Sequence, residues 1–460
     1  MRRILETDYL VVGAGAMGMA FTDALVDHAD LHVTLVDRRF GAGGHWQDAY
    51  PFVQLHQASL FYGVASTVLG TGATQTTGPE TGLQERAHQA EINAYFDHVL
   101  RRRFAATGRV TFLGASEHTE TDGAHYVSSR VSGEVTEVRV RRRVVDAAYL
   151  SPTIPATTPA PFAVGDDVAV VPVGGLARLE TAASQYVIVG SGKTATDGIV
   201  WLLANGVDAG RIMWIRPRDP WMLNRAVVQP DPVVALTLAA DTMEASANAE
   251  SLNDLFLRLE AAGVMLRIDP TTTPTMAKTP TLATWELEAL RTIDNVVRLG
   301  HIRGVTRSAI DFDGGSVALS PGSLIVHCAA SGLQYPPIVP IWGDDKIRLQ
   351  TTRAGFPCFN AALIGYVEAT RDDDRERNRL CPANTLPDSL GSWAQMQLWG
   401  ARATRAFGAE PDIAEWANGC ALNPSRLEPS RRDDPAVRAA GTRAAKHADA
   451  GLARLAELVA

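Results

Sequence analysis

Gly13, Gly15 and Gly18 stand in the spacing GxGxxG, and Gly190, Gly192 and Ala195 repeat it far downstream as GxGxxA. The chemistry of this spacing belongs to the backbone. A first glycine permits a tight turn, and a second lets the main chain approach a pyrophosphate at a helix N-terminus. A small third residue lets the helix pack closely on the strand. The surroundings suit the motif in both places. Tyr9–Val12 and Gln185–Val189 are short apolar runs before the glycines, and helical stretches follow from Ala20 to Val26 and from Thr196 to about Ala204.

The two units end differently. The next strand of the first, Leu31–Val36, stops at Asp37, whose carboxylate can accept hydrogen bonds from a ribose hydroxyl. The counterpart in the second, Arg211–Ile215, stops at Arg216-Pro217-Arg218. Guanidinium groups there would complement a 2′-phosphate, the plainer alternative being two surface arginines. Two endings imply two dinucleotides, FAD in the first unit and NADPH in the second, since no side chain carries two electrons. The second cradle is then Gly190, Gly192, Lys193, Thr194 and Ala195. Lys193 does not make a Walker-type phosphate loop, because the four-residue spacer of GxxxxGK is missing. Ser191 lacks the GxSxG setting of a hydrolase nucleophile.

A loop rich in polar and aromatic residues follows Asp37. It carries Gly43-Gly44-His45-Trp46, then Tyr50-Pro51, then His56, Gln57 and Ser59. His45, Trp46, His56, Gln57 and Ser59 are the candidates to lie beside the flavin. Trp46 suits packing on it, and His56 suits hydrogen-bond donation, its plainer reading being a loop histidine. Arg225 can contact NADP, line a pocket or sit on the surface. His327 and Cys328, in an apolar run, read as structural.

These residues resemble the two-dinucleotide-binding flavoproteins, and within them the flavin-containing monooxygenase branch, the class B flavoprotein monooxygenases. The likeness spans about residues 8 to 335. Gly43-Gly44-His45-Trp46 with Tyr50-Pro51 is similar to that branch's GGxW…YP element, which lies along the flavin. The helix carrying Glu91-Ile92 and Tyr95-Phe96 is similar to the one that follows. Val144–Ala148 and Ile325–Gly332 stand where the family has two ATG-type strands, which assigns Gly332 to cofactor binding. The FxGxxxH signature expected before the second fingerprint is replaced by Val171-Pro-Val-Gly-Gly-Leu-Ala-Arg-Leu-Glu180. The resemblance implies an NADPH-using monooxygenase that forms a flavin C4a-(hydro)peroxide and oxygenates a small organic substrate with molecular oxygen. The oxygenation is of N-, S- or Baeyer–Villiger type, and His56 and Gln57 are the catalytic candidates. Two alternatives stay open: a flavoprotein reductase or dehydrogenase without oxygen insertion, and a non-enzymatic flavin-binding redox sensor.

The elements that must position these residues form an α/β fold: two Rossmann-like dinucleotide-binding domains, for FAD and NADP, with a mostly helical C-terminal region. The expected boundaries are 1–160 for the first part of the FAD domain and 161–305 for the NADP domain, with a helical insertion at about 231–262. Residues 306–460 would return to the FAD domain and add the helical region, mainly after Asp388. The spacing of Ile92, Tyr95, Phe96 and Val99 predicts a helix from about Glu85 to Ala105. Strands are expected at His125–Ser129, Glu134–Val140 and Arg143–Ala148, and a hairpin about Asp313-Gly314-Gly315.

Composition narrows the classes further. The 460 residues are 46% hydrophobic and 20% charged, which suits a large buried core and excludes disorder. A net charge of -8 argues against a nucleic-acid or anionic-membrane binder. Cys328, Cys358, Cys381 and Cys420 form no CxxC pair, so neither a dithiol exchanger nor a paired metal site is expected. Four scattered thiols and no long apolar run point to the cytoplasm, with no transmembrane segment. Composition does not reach the oligomeric state.

Overall fold

The computed structural model describes residues 3–330, 332 and 334–460. Its first sheet is built around Arg3–Val12, which runs parallel to Val33–Val36 on one side and to Val135–Asp146 on the other. Val110–Leu113 extends the sheet in parallel beyond Val33–Val36. Ser116–Thr121, Ala124–Ser129 and the start of Val135–Asp146 form an antiparallel meander. The two strands expected at Glu134–Val140 and Arg143–Ala148 are one strand of 12 residues. A bulge carries it through: Thr7 pairs with Val140 and Tyr9 with Arg143, so Arg141 and Arg142 together face Asp8.

The second sheet is wholly parallel, in the order Val170–Pro172, Ser323–His327, Gln185–Val189, Ile212–Ile215, Val296–Val297. Its strands are near-continuous apolar runs because both faces are covered. This pairing corrects the expected boundary at residue 306. Ser323–His327 sits between two strands of the second unit, and the hairpin Ala309–Phe312 and Gly315–Ala318 extends a small sheet beside it. The chain rejoins the first sheet only at Lys346–Arg348, parallel to the end of Val135–Asp146.

The helix expected from Glu85 begins at Gln89 and continues through Val99–Phe104 to Thr107. Residues 85 to 88 are held otherwise. Glu85 Oε1 accepts the Gly72 amide at 2.8 Å, and the His88 amide bonds Glu91 Oε2 at 2.7 Å, capping the helix. The insertion at 231–262 is two helices, Pro232–Ala247 and Leu252–Ala261, with Ser251 capping the second. It packs with the C-terminal helices, where Phe256 meets Trp393 edge-on at 5.1 Å and Leu455 is fully buried. The helical C-terminal region starts at Pro357, earlier than Asp388. Among the described residues no helix is long and apolar enough to cross a membrane.

Three strands of the first sheet, Arg3–Val12, Val135–Asp146 and Lys346–Arg348, point their carboxyl ends the same way. In open α/β sheets that edge is where ligands sit.

Candidate functional site

At the first fingerprint Gly13 takes φ +111°, a conformation that side chains disfavour, and its amide bonds Val36 O at 2.8 Å. A Cβ on Gly18 would lie 1.9 Å from Gly13 O, so the helix Ala16–His28 can approach only because Gly18 has none. Gly15 begins that helix without a side-chain cap, and the first turn holds no acid. Its free amides therefore face a place suited to an anion. The Asp37 carboxylate accepts the Ala14 amide on Oδ2 and the Arg39 amide on Oδ1, both at 2.8 Å. Gly43 donates to Ala14 O at 2.8 Å, and a Cβ on Gly44 would lie 2.9 Å from Gly15 Cα. The GGHW turn thus lies directly on the first cradle.

The second cradle repeats the design. Gly190 takes φ +129°, and its carbonyl accepts Trp214 Nε1 at 2.7 Å. A Cβ on Gly192 would meet nothing within 4 Å, so the turn opens onto free space. The helix Lys193–Ala204, which carries Thr194, again lacks a side-chain cap and an acid in its first turn, and Ala195 is buried against the strand behind it. Both cradles fit a pyrophosphate.

The arginines after Ile215 have different fates. Arg216 is 2% exposed, 3.3 Å from Asp219 and stacked 4.5 Å over the Trp214 ring. Its Nε and Nη1 find no partner among the described residues. Arg218 is exposed. Gly332, at φ +67°, is bonded through its carbonyl to the Thr153 amide at 2.8 Å, in the proline-rich crossing between units. Its neighbour Ser331 lies outside the described residues.

The flavin-proximal candidates spread over two environments. Trp46 is buried, with Nε1 donating to Tyr62 Oη at 2.6 Å. Burial pushes the half-buried His45 ring down to about 4. Ser59 is buried and accepts the Ala87 amide on Oγ at 2.8 Å. Gln57 is also buried, and its side-chain amide bonds no other described residue.

His56 lies where the two units meet. Its carbonyl accepts Arg225 Nε at 3.1 Å and also Thr281 Oγ1, while its Nδ1 is 3.4 Å from the Thr281 amide. Burial pushes the ring down to about 3, assisted by the charges of Lys193, Arg225 and Arg86. The imidazole is therefore neutral at physiological pH. Arg225, far from a surface residue, is 0% exposed and is held by Glu80 and by Glu286 at 2.7 Å. Lys193 is turned toward Asp197 and toward Glu286 at 3.1 Å. Burial would raise the Glu286 carboxyl, but Lys193 and Arg225 hold it down at about 2. Nearby, Tyr50 Oη donates to Asp197 Oδ2 at 2.7 Å, and Phe52 stacks on Trp201 at 4.6 Å. Glu80, Asp197, Thr281 and Glu286 had no motif to announce them. They come from three separate stretches of chain, with Thr281 and Glu286 five residues apart, and the three meet only in the fold.

The family described as NAD(P)-binding Rossmann-like domain matches residues 11–65, which hold the first cradle and the GGHW…YP turn. Over 424 residues the chain is 41% identical to the "Uncharacterized protein Rv2000" of Mycobacterium tuberculosis, covering 92% of this chain and 78% of that protein. The chain belongs to the Rv2000 family. A Mycobacterium bovis member, "Uncharacterized protein Mb2023", matches with the same identity and coverage.

Solved structures place the Rv2000-family fold more widely. A cyclohexanone monooxygenase crystallised with ε-caprolactone is 16% identical, with a TM-score of 0.53 over 89% of this chain and 98% of that one. A steroid monooxygenase bound to NADP is 16% identical, with a TM-score of 0.51 over 79% and 85%. Cyclohexanone monooxygenase from Rhodococcus sp. Phi1 bound to NADP+ is 15% identical, with a TM-score of 0.50 over 98% and 97%. The chain has the two-domain fold of these monooxygenases.

Proposed function

We propose that this chain is an FAD-dependent, NADPH-using monooxygenase that oxygenates a small organic substrate. One observation carries the reading: the His56–Gln57 turn, which follows the first cradle, is packed against Arg225 and Thr281 of the second unit. A hydride donor and acceptor must meet at such a junction.

FAD, when bound, supplies the two-electron and oxygen chemistry that no side chain here possesses. Gly13, Gly15, Gly18, Gly44 and Asp37 would hold it, and Gly190, Gly192, Lys193, Thr194 and Ala195 would hold NADPH, with Arg216 and Arg218 toward the 2′-phosphate. The neutral His56 ring accepts the Thr281 amide on Nδ1, which leaves its proton on Nε2 as a hydrogen-bond donor. The amide of Gln57, which bonds no other described residue, is a second polar group in the same turn. Arg225 is balanced by two carboxylates and holds the backbone of this turn. A sulfide or amine substrate needs no further cation, which favours N- or S-oxygenation over the Baeyer–Villiger type.

A dithiol reductase is disfavoured by the thiols themselves. All four cysteines are buried, and burial raises Cys358 and Cys420 to about 12. Hydride transfer without oxygen insertion is the second reading. It is favoured by Val173–Arg178, where Val173 and Leu176 are buried apolar residues in place of the FxGxxxH signature.

The test is anaerobic reduction of the flavin-loaded chain. NADPH should bleach the flavin absorbance at least about tenfold faster than equal NADH. No bleaching by either nucleotide would refute the reading.

A further inference from the structure

The two units are joined by a chain of buried charges that neither fingerprint requires. Arg86, Glu80, Arg225, Glu286, Lys193 and Asp197 alternate in sign, three cations against three carboxylates. None of these side chains is more than 14% exposed. Arg86 and Glu80 belong to the first unit, and the other four to the second. Adjacent pairs measure 2.8 Å for Arg86 with Glu80, 2.7 Å for Arg225 with Glu286 and 3.1 Å for Lys193 with Glu286.

Both ends of the shared segment touch the functional site. Lys193 is the first residue of the helix that follows Gly192, where the pyrophosphate is read to sit. Arg225 holds the His56 carbonyl. A pyrophosphate arriving at that helix N-terminus is a new anion competing for Lys193. A buried carboxylate that loses one cation must be compensated by another, because a stranded buried charge is strongly disfavoured. For Glu286 the remaining cation is Arg225. Any tightening of that pair moves the guanidinium that positions His56.

We propose that Arg225 is a positioning residue through which nucleotide bound at Gly190–Lys193 sets the placement of the His56–Gln57 turn. The link runs from Lys193 through Glu286 to Arg225. The inference rests on the reading that the second fingerprint takes NADP(H). It adds a reason for the buried charges, which a nucleotide cradle alone does not need, and it makes Glu286 the switch point.

The experiment titrates the full, flavin-loaded chain with NADP+ and reads the bound-flavin absorbance together with the dissociation constant. In the unmodified chain NADP+ should perturb the flavin spectrum and alter hydrogen exchange over residues 53–59. Glu286→Gln keeps the acceptor for the Ala283 amide but frees Lys193 from its second anion. NADP+ should then bind roughly fivefold tighter or more, the low end of ordinary site-to-site coupling, while the spectral perturbation is lost. Lys193→Met should lose the perturbation and bind NADP+ more weakly. A perturbation of full size in Glu286→Gln would overturn the inference. So would NADP+ binding to the unmodified chain with no change in exchange over 53–59, a result independent of how the variants fold. Absence of NADP+ binding to the unmodified chain would instead overturn the second-nucleotide reading, and the inference with it.

Discussion

Tyr50 Oη and Asp197 Oδ2 meet at 2.7 Å across 147 residues, joining the turn that follows the first cradle to the helix that opens the second. Burial beside Asp197 keeps the phenol well above its ordinary value, so it stays a donor. Tyr50→Phe removes the bond and leaves the aromatic packing. A hydrogen bond to a charged group contributes about 1.5–3 kcal/mol, so the urea midpoint should fall accordingly. Flavin content should stay level while reduction by NADPH slows. Unchanged reduction would mean that the Tyr50 link has no part in aligning the units.

Substituting alanine for two glycines separates a packing role from a ligand role. Gly18→Ala drives a Cβ into Gly13 O, an overpacking that costs about 1–3 kcal/mol and displaces the cradle. The variant should melt lower and purify without flavin. Gly192→Ala has free space, so it should fold normally and weaken only NADPH binding. Equal melting temperatures for the two variants would contradict this.

Arg218 is the exposed guanidinium proposed to read the 2′-phosphate of the second nucleotide. Arg218→Ala, at an exposed position, should cut the NADPH-over-NADH preference about tenfold and leave the melting temperature alone. Arg216→Met should also lower stability, because among the described residues Asp219 then keeps only Arg298, at 2.8 Å. A double variant with unchanged preference would show that the phosphate binds elsewhere.

Stability should fall with acid before the carboxylates titrate. His45 and His56 stay neutral in the folded chain, at about 4 and about 3, against an ordinary 6.5. Unfolding below pH 6.5 therefore takes up protons, and stability drops as pH falls through that window. At pH 5 each ring contributes a loss of about 2 kcal/mol. Glu286, held at about 2, adds its loss only below about pH 4.5. His56→Gln should flatten the decline of the urea midpoint between pH 7 and 5. An equally steep decline in that variant would contradict the burial of the ring.

Local chemistry was legible in the sequence, and distant pairing was not. Gly13, Gly18 and Gly190 announce their turns because backbone geometry demands glycine there. Arg216 reads as a free cation because the neutralising Asp219 and the Trp214 ring come into play only after folding. Arg141 and Arg142 suggested a break between strands, which a bulge opposite Asp8 absorbs. Glu80, Arg225 and the segment from Thr281 to Glu286 carry no periodicity linking them, since tertiary packing alone brings these three stretches together around Arg225, which holds His56. Ser323–His327 looked like a return to the first sheet, and only its pairing with Gln185–Val189 assigns it to the second.

The most direct test of oxygenation is rapid mixing. The flavin-loaded chain is reduced anaerobically with NADPH and then mixed with oxygenated buffer while absorbance is followed. A transient flavin–oxygen adduct spectrum that persists while NADP+ stays bound is the predicted result. Direct reoxidation with stoichiometric hydrogen peroxide and no transient would contradict it, and would make the chain a reductase or oxidase.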